Sequence, residues 1–163
     1  MEVIKLGIIN NLEILVFRLS LSQGPDEPEF AINLVSLVQR FEDGVSEALK
    51  DVTIDVVVSY YAEWRDALKP LLMCREWRIL DEVLGNRDRC PGLQKVHIMI
   101  DWDTTNSDPP NANETVNFLM PLQLPRLAER GILSIGFGNI RDVTIHFHDL
   151  LTRNISRGEL TIS

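Results

Sequence analysis

Two hydrophobic periods alternate along the chain. One is a strand template: a leucine, two free positions, then three apolar residues on alternate positions. It occurs as Leu12, Leu15, Phe17, Leu19, as Leu49, Val52, Ile54, Val56, and as Leu93, Val96, Ile98, Ile100. A fourth set, Ile140, Val143, Ile145, Phe147, keeps the spacing but lacks the leading leucine. A period of two puts the three apolar side chains on one face of a strand and the residues between them on the other. Each copy therefore predicts a half-buried strand. Burying one such side chain stabilises by roughly 1.5 to 3 kcal/mol, so every unit needs a neighbour to cover it.

Between the strands the period lengthens to that of a helix. Phe30, Leu34, Leu37, Val38, Phe41, Val45 and Leu49 recur mostly at steps of three and four, after the breaker run Gly24-Pro25-Asp26-Glu27-Pro28. The next connection predicts two short helices. One runs through Tyr61, Trp64, Leu68, Leu71 and Leu72, the other through Trp77, Leu80, Val83 and Leu84, with Pro70 or Cys74 near the joint and Gly85 as the stop. A third connection, Asn113 to Glu129, carries Val116, Leu119, Met120, Leu124 and Leu127, and Pro121 and Pro125 should break it into pieces. Leu12 to Leu49 spans 37 positions and Leu49 to Leu93 spans 44, which is room for the helical crossover that parallel neighbours require. The expected fold class is α/β: a short leucine-rich-repeat-like, right-handed βα solenoid with a mainly parallel sheet and its helices on one side.

The two ends depart from this pattern. Gly131 to Phe137 and Val143 to His148 read as strands separated by only five residues, Gly138 to Asp142, which predicts a closing antiparallel hairpin. Residues 1–148 are thus expected to form one βα-repeat domain and residues 149–163 a tail. Met1 to Asn11 offers at most part of a helical turn ahead of the first strand. Repeat arrays normally need a polar cap there, so the reading expects either missing upstream residues or another surface over this edge.

Charge narrows the range of partners. The 163 residues carry a formal net charge of −8, with a pI near 4.8. Nucleic acid and anionic membrane, both held through Lys/Arg clusters, are not expected partners. The apolar start, Met1 to Leu21, is interrupted by Glu2, Asn10, Asn11, Glu13 and Arg18, so neither a signal peptide nor a membrane span is read there. With Cys74 and Cys90 as its two cysteines and no C-x-x-C pair, the chain is expected in the cytoplasm or nucleus with reduced thiols.

Candidate chemistry is sparse. Asp101-Trp102-Asp103-Thr104-Thr105-Asn106 begins like a calcium loop, but lacks the glycine at the sixth position and has Ala112 where a bidentate glutamate belongs. His146 and His148 share a strand face, as do His97 and Asp101, and a metal could be held if those strands were neighbours. Gly136-Phe137-Gly138 starts a dinucleotide-like pattern whose third glycine is replaced by Arg141. No hydrolase elbow, P-loop or zinc-protease motif occurs, and no catalytic, cofactor or metal residue is assigned. Trp64 and Trp77 fall on the helical stripe and are expected in the core, whereas Trp102 adjoins a polar loop.

The more informative residues lie between the template positions. Val16 and Arg18, then Thr53, Asp55 and Val57, then His97, Met99 and Asp101 should form a row on the face opposite the helices. Repeat proteins commonly hold another protein on such a concave face, while the plainer reading is that these residues keep the sheet soluble. Arg18, Thr53, Asp55, Val57, His97, Met99 and Asp101 are the candidate protein-binding residues. An alternative is a small hydrolase or metal-dependent enzyme with its site at the C-terminal ends of the strands. Another is a truncated gene product without independent function.

The run from Trp77 to Leu84, the run Cys90-Pro91-Gly92-Leu93-Gln94-Lys95-Val96-His97-Ile98 and the run from Leu124 to Leu133 resemble the closing part of the F-box-associated, leucine-rich-repeat-like proteins of mushroom-forming fungi. The similarity covers about residues 60 to 137, in short and mostly apolar pieces. It implies a non-enzymatic scaffold whose repeats present a substrate. It also implies docking to a ubiquitin-ligase adaptor through an N-terminal F-box, which would belong to a longer form because none precedes Met1 here. The resemblance implies no cofactor and no catalytic residue.

Overall fold

A computed structural model describes residues 12–22, 29–42, 47–59, 64–102, 111–139 and 159–162. Among them, strands β1 (Ile14–Ser22), β2 (Asp51–Ser59), β3 (Lys95–Trp102), β4 (Leu133–Asn139) and β5 (Glu159–Ile162) form one open sheet. Its order is β4-β3-β2-β1-β5, and every pairing is parallel. The crossovers supply α1 (Glu29–Glu42), α2 (Trp64–Met73), α3 (Glu76–Leu84), α4 (Ala112–Gln123) and α5 (Pro125–Glu129). The chain is therefore α/β with a parallel sheet, as its alternating periods predict.

The template aligns across the sheet. Leu15, Val52 and Val96 are register partners, as are Phe17, Ile54 and Ile98, and then Leu19, Val56 and Ile100. All nine are buried, and so are the leading leucines Leu12, Leu49 and Leu93. The backbone repeats as well: Glu13 C=O accepts from the N–H groups of Lys50 (2.8 Å) and Asp51 (3.0 Å), and Lys50 C=O accepts from those of Gln94 (2.8 Å) and Lys95 (3.1 Å). In both cases the acceptor is the residue just after the leading leucine.

One core joins this face to the helices, taking in Leu34, Leu37 and Phe41 of α1, Leu71 and Leu72 of α2, Trp77, Leu80 and Leu84 of α3, Val116 and Met120 of α4 and Leu127 of α5. Phe41 meets Phe17 edge-on at 5.7 Å and 63°, a geometry that adds about 0.5 to 1.5 kcal/mol to its burial. Trp77 is buried and its indole N–H donates to Leu71 C=O at 2.7 Å, fixing the α2–α3 joint at Cys74 and Arg75. Pro70 lies inside α2. Gly85 does end α3, but with φ −72°. Its glycine serves close approach, since a Cβ would stand 2.4 Å from Asp81 O and 2.6 Å from Arg126 Cβ.

Of the two prolines expected to break the third connection, Pro125 does so, standing in the first turn of α5 where no backbone donor is needed. Pro121 instead sits within α4. The larger difference concerns the fourth strand. Leu133, Ile135 and Phe137 are the register partners of Val96, Ile98 and Ile100, so β4 is a further parallel copy of the template. Arg130 occupies its leading position, 37 residues after Leu93. An arginine suits that place because its guanidinium donates to Leu84 C=O (2.8 Å) and Leu93 C=O (3.0 Å), satisfying the end of α3 and the preceding lead. Gly131 then turns the chain with φ 68°, a left-handed conformation that favours glycine.

The set Ile140, Val143, Ile145, Phe147 and the second half of the expected hairpin lie outside the described residues, as does Met1 to Asn11. Of the expected tail, residues 159–162 join the sheet as β5 against Ile14–Phe17 of β1. Among the described residues, no helix is long and apolar enough to cross a membrane.

Candidate functional site

Strand alternation puts the seven candidate residues on the face turned away from the core. Three rows cross it: Val16, Thr53, His97 and Ser134; Arg18, Asp55, Met99 and Gly136; Ser20, Val57, Asp101 and Gly138. With neighbouring strands about 4.8 Å apart, Arg18, Thr53, Asp55, Val57, His97, Met99 and Asp101 form one contiguous patch. Ser20 is exposed and most of the others are half-buried, but Asp55 is 9% exposed and Asp101 only 1%.

Sequence reasoning missed the β4 side of this patch, Ser134, Gly136 and Gly138. The alternate glycines around Phe137 were the available signal. A Cβ on Gly136 would lie 3.0 Å from His97 Cε1 and Nε2 and 3.1 Å from Met99 Cε, and one on Gly138 would lie 2.2 Å from Asp101 Oδ1. His97, Met99 and Asp101 thus lean across β4 into space that side chains there would fill. His97 Nδ1 also makes a hydrogen bond with Ser134 Oγ.

Electrostatics set the two aspartates apart from ordinary surface carboxylates. Burial pushes Asp55 up to about 6, with the Arg18 guanidinium opposing the shift and Asp101 adding to it. Burial also raises Asp101, again against Arg18. Burial and Lys95 lower His97, so the imidazole favours its neutral form, with a hydrogen bond to the Ser134 backbone opposing. Two carboxyl groups thus share the field of one guanidinium, and among the described residues the buried Asp101 Oδ1 has no hydrogen-bond partner. Such a group can accept a donor supplied from outside, and near pH 6 Asp55 can itself either donate or accept.

Among the described residues no group of three or more His, Cys, Asp or Glu side chains is placed to hold a metal. His146 and His148 lie outside them, and only Asp101 and Trp102 of the calcium-like run lie within. Trp102 is buried, with its indole N–H donating to Asn113 Oδ1 at 3.2 Å, while the side chain of Trp64 is not described. The two thiols belong to the packing: Cys74 donates to Glu76 Oε2 (2.9 Å) and is pushed up to about 12, chiefly by burial, and buried Cys90 is also raised. No protein-family model, no curated protein and no solved structure matches the chain.

Proposed function

We propose that the chain is a protein-interaction scaffold, a short leucine-rich-repeat-like solenoid that captures its partner on the open face of β1 to β4. One observation carries the reading: β1 to β4 lie in chain order, parallel and in a common register, so that Arg18, Thr53, Asp55, Val57, His97, Met99 and Asp101 meet on the face opposite the core. Sequential order is the arrangement of a repeat array, and its strand face is the usual docking surface. The resemblance to F-box-associated repeat proteins extends the proposal. In a longer form carrying an F-box, this face would present a substrate to a ubiquitin-ligase adaptor in the cytoplasm or nucleus.

Site-specific photocrosslinking from the source cells tests the face. A crosslinker at Thr53 is expected to yield a discrete protein adduct that Asp55→Arg removes, while one at exposed Phe118 on α4 yields none. Equal adducts from both positions would end this reading. A hydrolase is the second reading, and the contact between His97 and Ser134 is what favours it, since an imidazole beside a hydroxyl can act as its base, although the pair stands near the N-terminal ends of β3 and β4 and not at the expected C-terminal ends.

A further inference from the structure

We infer that β5 is a built-in imitation of β4, and that the edge of β1 which it covers takes β4 of a second copy of this chain when β5 is absent. The first ground is the sequence of the two strands. Arg130-Gly131-Ile132-Leu133-Ser134-Ile135 and Arg157-Gly158-Glu159-Leu160-Thr161-Ile162 share Arg, Gly, Leu and Ile at matching positions, and Ser is answered by Thr.

Register is the second ground. Leu133 and Ile135 partner Val96 and Ile98, while Leu160 and Ile162 partner Leu15 and Phe17. Val96 and Leu15 occupy the same template position, as do Ile98 and Phe17. Hence β5 lies against β1 in the register that β4 adopts against β3, both parallel.

Position completes the argument. β4 and β5 stand at opposite ends of the sheet, with β5 where a strand preceding β1 would be. A second copy offering its β4 to that place would repeat the pairing already seen, and among the described residues no strand pairs with the outer edge of β4. Unpaired edges of this kind recruit strands from other chains. The seven-residue β4 would also form a longer ladder than β5, which pairs with only Ile14–Phe17 of the nine-residue β1. β5 prevails within one chain because its tether gives it a high effective concentration. The contact is head-to-tail and does not close on itself, so removing β5 leads to open-ended growth.

The test compares the full chain with one ending at Asn154, by sedimentation velocity, with circular dichroism to check the fold. The shortened chain is expected to gain weight-average mass more than about twofold over a ~20-fold rise in concentration, while the full chain does not. Added full chain should shorten the assemblies, because it retains a β4 edge but its β1 edge is covered. A folded, monomeric shortened chain would overturn the inference. So would a discrete dimer that ignores added full chain, which would mean pairing of like edges. Unfolding of both the shortened chain and the full-length variant Thr161→Pro would also overturn it, by showing β5 to be an integral strand and not a displaceable cover.

Discussion

Two buried carboxylates receive opposite treatment. Asp81 of α3 is 2% exposed, and its oxygens accept from the backbone N–H groups of Arg126 (3.0 Å) and Leu127 (2.9 Å). It caps the first turn of α5 from another helix, supplying the acceptors that a helix start requires. Asp101 of β3 is as deeply placed, yet among the described residues its Oδ1 has no hydrogen-bond partner, and burial raises its pKa. In the helical layer each carboxylate oxygen has a backbone donor, whereas among the described residues the open face leaves one oxygen without any. A fold tolerates few unsatisfied buried groups, so an orphan among the candidate binding residues supports a role for that face.

The contrast breaks most severely if a third carboxylate is forced under the helices. Ile98 is fully buried on β3 between His97 and Met99, facing the other way. Ile98→Asp is expected to cost on the order of 4 to 5 kcal/mol or more, close to the whole stability of a small domain. Circular dichroism should show no cooperative melt at neutral pH. A melt within a few degrees of the parent would mean that the two faces of β3 are misassigned.

Asp81→Ala sharpens the contrast with a smaller effect. It leaves two helix donors without their acceptor, so a loss of about 2 to 3 kcal/mol is expected in urea unfolding. Asp81→Asn keeps one carbonyl acceptor and should lose roughly half as much. A loss under about 0.5 kcal/mol for the alanine variant would show that water replaces the cap and that Asp81 is not structural.

Much of this arrangement was legible in the sequence because side-chain alternation is a local rule. Leu15, Val52 and Val96 declare their face by spacing, and the open-face residues follow from the same count. The α2–α3 joint and the break at Pro125 were readable for the same reason. What escaped depended on distant partners. Arg130 breaks the template at its leading position, and nothing near it reveals that Leu84 and Leu93 carbonyls await its guanidinium. The parallel place of β4 beside β3 is therefore not legible from its own residues, whereas the second half of the expected hairpin lies outside the described residues. Gly136 and Gly138 read only as the start of an incomplete dinucleotide-like pattern, because their use is set by His97 and Asp101 on the adjoining strand. Asp81 gave no sign of its role, since its partners lie 45 and 46 residues away.

The smallest expected effect concerns pH and the other buried carboxylate of the open face, Asp55. Asp55 releases its proton near 3.8 when unfolded but near 6 in the fold, where burial and Asp101 outweigh Arg18. Between those values the folded chain binds more protons than the unfolded one, so stability from this group is greatest below about pH 4 and falls as pH rises through 6. The shift, in which Arg18 is already counted, sets a ceiling of about 3 kcal/mol between pH 4 and pH 7, and relaxation of the folded chain around the ionised carboxylate brings the expected loss to the order of 1 to 2 kcal/mol. Other groups shape the whole profile, so the measurement is the difference between the parent and Asp55→Asn in urea unfolding across that range. The variant should be the less pH-sensitive of the two; identical slopes would mean that Asp55 is solvated and contributes nothing special to the open face. A partner that sets a further cation beside Asp55 should pull its pKa back down, so binding should strengthen above pH 6, where the carboxylate is ionised.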